Sequence, residues 1–447
     1  MAEPFGNESI AEAVGIFKSL LKFRTVNPPG DERACIGWIA ALLKKEGIKS
    51  TILESAPGRA NLVARIKGGS EPALILTGHV DVVEVEEQFW SVSPFAAEEK
   101  DGWIYGRGAV DMKNHVAMCI ATFIGLKRRN IKPNRDVVLV CVADEEAGST
   151  YGMKWLVENH GDLLEAGYGL NEFGGFNVHL PGGKQVYLVQ TAERGFCWFK
   201  IRAHGEPGHG SLVPFDSSVQ KLTAAIQRLT SQYLPHHVVP ETARYFDALS
   251  HEMGPFGFVT KMLKWRLTEG LALKMIGDEE KQRNFISSLH NTAVPTVIRA
   301  GEKTNVVPAI AECEIDGRYL PGFNEEQFLN EVHQVIGDDF DIEVMRSGPP
   351  SSNTTDTPLY RLIENVVHEQ ADGATVIPWV LIGFSDSKWL EQLGVTVYGF
   401  SPVQFPPDVQ FSKLPHGNDE RIPRAGFEWG METLWTTVTR FVEEDVE

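Results

Sequence analysis

The first part of the chain alternates between helix-like and strand-like patterns of apolar residues. Residues 8–24 and 31–47 repeat apolar side chains at the spacing of amphipathic helices, and Asn27-Pro28-Pro29-Gly30 breaks the chain between them. Further along come strand-like runs at 61–68, 72–83 and 136–146, and helix-like runs at 112–129 and 148–160. Strands that alternate with helices predict an α/β sheet covered by helices on both faces.

The pattern changes near Glu193. The predicted elements from there are a strand at 195–205, a helix at 216–232, strands at 292–301 and 309–320, a helix at 324–337 and a strand at 339–347. This order, β-α-β-β-α-β, is the ferredoxin-like arrangement. Residues 233–291 interrupt it, and we expect them to form a helical insertion. A linker at 348–358 precedes renewed helix and strand signals, which continue to residue 447.

Composition and charge narrow the class of protein. The 447 residues are 43% hydrophobic, which is enough for a sizeable core and excludes global disorder. The net charge of −18 argues against a nucleic-acid partner or an anionic membrane surface, although a local site can differ from the average.

Cysteine usage and the apolar pattern bear on location. The five cysteines are an odd number without CxxC spacing, so we expect no disulfide framework and a reducing compartment. The N-terminal residues show no basic start followed by an apolar stretch, and no apolar run reaches the roughly 18 residues of a membrane span. We therefore expect a cytoplasmic protein with neither a nucleic-acid nor a membrane partner.

Acidic and histidine side chains stand where apolar runs end. They are His79 and Asp81, Asp111 just before a helix, Glu145 and Glu146, and Glu172. Ligands of open α/β sheets bind beyond the carboxyl ends of strands, so several such segments could form one site. Imidazole and carboxylate together suit zinc, and a carboxylate such as Asp111 can bridge two metals that activate a water. Each piece alone is also typical of ordinary structure, namely a capped turn or an acidic helix N-terminus.

A series of motifs along the chain resembles one family. They are GHVDVV, DGWIYGRGAVDMKN, ADEEAGS, NEFGG, PGHGS, TNVVP, IDGRYLPG and PHG, in that order. Together they resemble the zinc-dependent aminoacylase, acetylornithine deacetylase and glutamate carboxypeptidase family. The YGRGxxDxKN run and the long lid insertion resemble in particular the carboxypeptidase S branch and the N-acyl amino acid hydrolases.

The resemblance implies a fold and two domains. It implies a di-zinc exopeptidase-like α/β catalytic domain with an inserted ferredoxin-like lid domain. The catalytic domain would take residues 1–192 and 348–447, and the lid 193–347 with its extra helical insertion at about 233–291. Relatives often pair through their lids, so both a monomer and a homodimer through the lid stay open.

The resemblance also implies a ligand set for two zinc ions, with Co²⁺ or Mn²⁺ as substitutes. His79 and Glu172 would bind one zinc, Glu146 and His416 the other, and Asp111 both.

Further roles follow from the same resemblance. Glu145 would be the general base, Asp81 would orient His79, and His209 would help to polarise the scissile carbonyl. The implied substrate contacts are Asn305, Arg318 and Asp386. Lys388 stands where an arginine is common, and His115 is expected to be structural.

The expected activity is hydrolysis of an amide or peptide bond in an N-acyl amino acid or a short peptide with a free carboxylate. Two alternatives stay open from sequence. One is a catalytically silent metal-binding relative. The other is the same site run backwards to condense an acid with an amine.

Overall fold

Two segments of the chain, Ala192–Ser352 and Trp379–Phe384, pack together as a second unit, separate from the rest of the residues 3–443 that this computed structural model describes. The first unit contains the described residues up to Thr191, Asn353–Pro378, and those from Ser385 onward. The predicted boundaries at 192/193 and 347/348 lie within a few residues of these, but Trp379–Phe384 has no counterpart in that prediction.

Helices and strands alternate along most of the described residues. The helices are α1 (Asn7–Leu21), α2 (Arg33–Lys45), α3 (Lys113–Arg128), α4 (Met153–His160), α5 (Ser218–Ser231), α6 (Pro240–Glu252), α7 (Phe258–Leu263), α8 (Arg266–Ile276), α9 (Glu279–Leu289), α10 (Glu325–Ile336), α11 (Pro358–Gln370), α12 (Ser387–Glu391) and α13 (Arg424–Glu443). The strands are β1 (Ser50–Ala56), β2 (Arg59–Ile66), β3 (Glu71–His79), β4 (Glu99–Lys100), β5 (Trp103–Tyr105), β6 (Arg135–Val142), β7 (Tyr168–Asn171), β8 (Phe176–His179), β9 (Gln185–Glu193), β10 (Gly195–His204), β11 (Gly208–His209), β12 (Thr292–Ala300), β13 (Val306–Val307), β14 (Ile310–Tyr319), β15 (Phe340–Gly348), β16 (Ser351–Ser352), β17 (Thr375–Leu381), β18 (Thr396–Gly399) and β19 (Arg421–Pro423).

The first unit is built on a mixed sheet with the order β1-β2-β6-β3-β7-β18-β9. Strands β3, β6, β7 and β18 run parallel to their neighbours in this group, whereas β1, β2 and β9 pair antiparallel. The residues of β6 from Val137 to Val142 are all buried, as expected for a strand covered on both faces.

Helix α3 lies against β3 at very short range. A Cβ atom on Gly78 would come within 2.7 Å of the Met112 side chain and 2.9 Å of Val116, so only glycine fits there without movement. Most of α3 is buried, and this packing fixes the end of β3 beside the residues that precede the helix.

The second unit contains the predicted β-α-β-β-α-β order. Its sheet, β12-β14-β10-β15, is antiparallel throughout, and helices α5 and α10 supply apolar side chains to its core. This is the ferredoxin-like order, so the predicted fold class is confirmed. Residues 233–291 contain α6 to α9, in agreement with the expected helical insertion.

Two sequence predictions differ from the structure for local reasons. The helix expected from residue 148 begins only at Met153, because Gly148 and Ser149 both adopt positive φ after the short 3₁₀ turn Glu145–Ala147. Strand β1 was not predicted; it is an edge strand whose residues are all half-buried or exposed, so its apolar pattern is weak. Within residues 3–443, no helix has the combined length and apolar character that crossing a bilayer needs.

Candidate dinuclear metal centre

The predicted site residues of the first unit meet at one edge of its sheet. His79 is the last residue of β3, Glu145 and Glu146 follow β6, and Glu172 follows β7. Because β3 is parallel to both β6 and β7, their carboxyl ends lie at the same edge.

One donor cluster surrounds the imidazole of His79. Its Nε2 atom lies 3.1 Å from Oδ1 of Asp111, 3.4 Å from Oε2 of Glu172 and 4.0 Å from Oε2 of Glu145. Single ligand atoms of His79, Glu145 and Glu172 all lie within 4.8 Å of one another, close enough to hold one ion.

A second donor cluster shares Asp111 with the first. Nε2 of His416 lies 3.2 Å from Oδ2 of Asp111 and 3.1 Å from Oε2 of Glu146. The two oxygens of Asp111 thus face two different imidazoles. A carboxylate that faces two donor groups in this way is suited to bridge a pair of cations.

Burial makes this cluster electrostatically costly without cations. Burial, with Asp111 nearby, raises the pKa of Glu146 to about 7, and burial raises the pKa of Glu172 to about 8. Burial and the neighbouring Glu172 raise the pKa of Glu145 well above its usual value. Hydrogen bonds to Asp111 and Glu146 raise the pKa of His416 to about 11.

Asp111 behaves in the opposite way. Burial alone would raise its pKa, but hydrogen bonds from His416 and His79 hold that pKa well below the usual range. Burial likewise disfavours a charged His79, yet Glu172 and Asp111 beside it hold its pKa well above normal. The carboxylate of Asp111 is therefore the most readily ionised acid of the cluster.

The donor set fits divalent cations. One buried oxygen each of Glu145 and Glu146, and both oxygens of Glu172, have no hydrogen-bond partner among the described residues. Buried carboxylate oxygens without partners are rare unless something else satisfies them. Imidazole with carboxylate is the donor chemistry of zinc and related metals, so His79, Asp111 and Glu172 could hold one cation.

Asp81 contacts His79 and the backbone of the turn that carries Glu145 and Glu146. Its backbone oxygen lies 3.0 Å from Nδ1 of His79, and its carboxylate accepts hydrogen bonds from the backbone N–H groups of Glu145 and Glu146 and from Asn27. Contacts of this kind orient a ligating imidazole. The predicted link between Asp81 and His79 is thus present, with a further link to the β6 turn.

Asp144 is a supporting residue that sequence reasoning missed. It takes a left-handed conformation, with φ of 68°, directly before Glu145. Its carboxylate accepts hydrogen bonds from Arg59 at 2.7 Å, Asn27 at 2.9 Å and the backbone of Tyr151 at 2.9 Å. These bonds hold a conformation that few non-glycine residues adopt. The acidic run DEE was the available signal.

Glu420 was also missed. Its buried carboxylate accepts from the backbone N–H groups of Val110 at 2.7 Å and Asp111 at 3.0 Å, and from Arg107 at 2.8 Å. It therefore fixes the loop that carries Asp111. Its place four residues after His416, in HGNDE, was the signal.

Asp386 lies within the first unit, directly before α12. It is buried and accepts a short hydrogen bond from the Ser149 hydroxyl, and burial raises its pKa to about 7. Its negative charge also contributes to the raised pKa of Glu145. These contacts place it beside the acidic cluster, whereas the predicted substrate contact stays a prediction.

His209 and Asn305 come together in the second unit. Strand β11 pairs His209 with Val306 of β13, and the backbone N–H of Gly210 donates to the backbone carbonyl oxygen of Asn305 at 2.9 Å. Nδ1 of His209 accepts from the Ser211 backbone at 3.2 Å, so a neutral imidazole carries its proton on Nε2. Both side chains are exposed.

Arg318 lies on β14 in the second unit. Its guanidinium donates to both oxygens of Asp316, at 2.7 and 3.0 Å, and stacks 4.9 Å from the ring centre of Phe384. Its Nη1 atom has no hydrogen-bond partner among the described residues. The aspartate therefore aims the guanidinium and leaves one donor for another acceptor.

Two features together indicate a metallopeptidase-type hydrolase. One is the mixed α/β unit with histidine and carboxylate clusters at the carboxyl edge of its sheet. The other is the ferredoxin-like second unit. The sequence profile of peptidase family M20/M25/M40 matches residues 75–440, and the chain belongs to this family. It is accordingly a hydrolytic enzyme, and the family resemblance of the motifs is confirmed.

Two relatives cover most of the chain and are named for N-acyl amino acids or as an aminoacylase. The chain is 29% identical over 395 residues to the N-fatty-acyl-amino acid synthase/hydrolase PM20D1 of Xenopus tropicalis, covering 85% of this chain and 75% of that protein. It is 26% identical over 437 residues to aminoacylase-1B of Rattus norvegicus, covering 96% and 94% of the two chains.

Solved structures share the fold. The M20 family metallo-carboxypeptidase Sso-CP2 of Sulfolobus solfataricus superimposes with a TM-score of 0.72 at 17% identity, covering 98% of this chain and 99% of that one. YXEP of Bacillus subtilis, titled a dinuclear metal binding peptidase from the M20 family, gives a TM-score of 0.60 at 14% identity, covering 98% and 99%.

Proposed function

We propose that this hydrolase uses two zinc ions to cleave the amide bond of N-acyl amino acids that carry a free carboxylate. The observation that carries the proposal is the bridging position of Asp111, with one oxygen toward His79 and the other toward His416. In the proposed arrangement Glu172 completes the first metal site and Glu146 the second. The bound cations would supply Lewis-acid activation of water and of the substrate carbonyl.

Glu145 is the proposed general base. Its buried carboxylate lies beside the first cluster and has one oxygen without a partner among the described residues, so that oxygen is available to accept a proton. It takes a proton from the attacking water as the new C–O bond forms. It then gives that proton to the amide nitrogen as the C–N bond breaks, which releases a carboxylic acid and an amine.

Residues of the second unit are proposed to bind the substrate. His209, with its proton on Nε2, can donate a hydrogen bond to the carbonyl oxygen as negative charge develops there. Arg318 offers its remaining donor to the substrate carboxylate, with Asn305 as a further polar contact. We assign Asp386 a positioning role, because it is buried and bonded to Ser149.

The substrate class is supported by the relatives. An amphibian relative is named for N-fatty-acyl-amino acids and a rodent relative as an aminoacylase. A panel of N-acyl amino acids of increasing acyl length, with dipeptides for comparison, would test the class. Faster cleavage of dipeptides than of every acylated amino acid would contradict it.

Amide synthesis on the same site is a second candidate, because the amphibian relative is named a synthase as well as a hydrolase. Both directions pass through one transition state. The test is to incubate the zinc-loaded enzyme with a fatty acid and an amino acid in excess and to measure the acylated product by mass spectrometry.

Replacing Glu145 by Gln tests the proposed base. We expect turnover to fall by about 10²–10⁴-fold, because the amide cannot accept the proton. Zinc content, measured by plasma emission, should stay at two ions per chain if Glu145 is not a ligand. Glu158→Gln on the exposed face of α4 is the matched control and should keep full activity. Unchanged turnover in Glu145→Gln would refute the assignment.

We also propose a cytoplasmic location. All five cysteines are buried and unpaired, which fits a reducing compartment. Fractionation of the source cells would test it.

A further inference from the structure

The helical insertion of the second unit exposes a group of large apolar side chains. We call them the α7–α8 face, and they are Phe256, Phe258, Trp265, Leu267, Leu271 and Met275. Trp265 is 70% exposed and Leu267 is 98% exposed. Large exposed apolar side chains grouped in one segment are a candidate interaction site.

Exposed apolar residues recur at a regular spacing along helix α8. Leu267, Leu271 and Met275 are spaced four residues apart and therefore form one exposed stripe along the helix. Arg266 and Lys274 lie beside this stripe. The opposite side of the helix is buried, so the exposed stripe is not needed to attach the helix to its own unit.

The charges on this segment are unlike those of the whole chain. Between residues 256 and 276, the exposed charged side chains are Lys261, Arg266 and Lys274, all cationic. The one acid there, Glu269, is buried and lies 2.7 Å from Nε2 of His290. In a chain with a net charge of −18, residues 256–276 thus combine exposed apolar side chains with three exposed cations, and the exposed acids Asp278 and Glu279 follow this segment.

We propose that the α7–α8 face docks on the surface of an anionic phospholipid bilayer. Tryptophan, phenylalanine and leucine enter the boundary between head groups and acyl chains, and flanking lysine and arginine contact anionic head groups. No span is required, only shallow insertion of the exposed side chains. The expectation of no membrane partner came from the net charge, which averages over this local distribution.

The charge pattern disfavours a second copy of the chain as the occupant. Two such faces packed about a twofold axis would bring like cationic groups together. A bilayer also needs no groove, and α8 presents a convex surface. Amphiphilic N-acyl amino acids partition into the same surface, so docking would give access to them; that last point rests on the proposed function.

The test measures vesicle binding of the full chain without substrate, so it does not depend on activity. Vesicles of phosphatidylcholine with phosphatidylglycerol, and of phosphatidylcholine alone, are sedimented with the protein. We expect binding to the anionic vesicles only, weakened by salt. Trp265→Ser with Leu267→Ser should reduce the affinity at least tenfold, and both positions are exposed enough to leave folding intact.

Charge reversal provides a second arm with a matched control. Changing Lys261, Arg266 and Lys274 to Glu should reduce binding by about a hundredfold, at about fivefold per residue. Reversal of Lys44, Lys45 and Lys49, which are exposed on the first unit, makes the same change in net charge and should leave binding nearly unchanged.

Three outcomes would overturn the proposal. The first is absence of binding to anionic vesicles, and the second is equal loss in the control. The third concerns oligomeric state. It is a wild-type protein that light scattering shows to be a dimer, and a Trp265→Ser, Leu267→Ser variant that is a monomer but binds vesicles as well as the wild type.

Discussion

Neighbouring residues of the site contact different groups because the backbone directs their side chains differently. Glu145 faces His79, whereas Glu146 faces His416, and the left-handed Asp144 precedes both. His79, Glu145, Glu146 and Glu172 could be proposed as donors because they follow apolar runs, whereas His416 came only from the family resemblance. Their supports, Asp144 and Glu420, could not, because a carboxylate that binds distant backbone N–H groups leaves no local pattern.

The buried His115 is expected to make stability depend on pH. Burial in α3 lowers its pKa to about 4 from 6.5, and its Nε2 lies 3.3 Å from the Cys119 sulfur. The folded chain therefore keeps this imidazole neutral while the unfolded chain protonates it. Stability should fall as the pH drops from 6.5 to 4, by up to about 3 kcal/mol from this group.

Urea unfolding of the wild type and His115→Gln across that range measures the effect. The difference in unfolding free energy between the two proteins isolates the imidazole from the carboxylates that titrate nearby. A difference that stays constant with pH would contradict the assignment.

At the scale of elements, the pattern of apolar residues predicts the central strands of the sheet and the helices that cover it. In β6, every residue from Val137 to Val142 is buried, in agreement with the prediction of a strand covered on both faces. The weak elements were missed: β1 is a partly exposed edge, and β4, β5 and β19 are two or three residues long. Short strands take their conformation from their partners, so their own sequence carries little signal.

The close packing of α3 on β3 predicts that Gly78→Ala destabilises the first unit. The added methyl group meets Met112 and Val116 inside a packed core, and such overpacking costs about 1–3 kcal/mol. Gly15→Ala in α1 is the control, because nothing lies within 4 Å of that Cβ position, and it should stabilise by about 1 kcal/mol. Chemical denaturation compares the two, and a Gly78→Ala protein as stable as wild type would refute the packing argument.

At the scale of the whole molecule, bound cations should contribute to stability. The buried carboxylates of the site are costly when unpaired, and one metal held at a thousandfold excess over its Kd adds about 4 kcal/mol. Adding a chelator should therefore lower the Tm by several degrees, and adding zinc should restore it.

Calorimetry of wild type and Glu172→Gln checks this. The variant lacks one proposed ligand and should show a smaller shift between the chelated and zinc-loaded forms. Equal shifts in both proteins, or none in the wild type, would contradict a stabilising metal site at Glu172.

The order of the site residues along the chain also affects synthesis. His79, Asp111 and Glu172 precede the second unit in sequence, whereas His416 follows it. A nascent chain emerging from the ribosome therefore presents the first donor cluster long before the second. Until translation reaches His416, one side of the bridging carboxylate has no imidazole to face, and the growing polypeptide cannot assemble the complete pair of clusters.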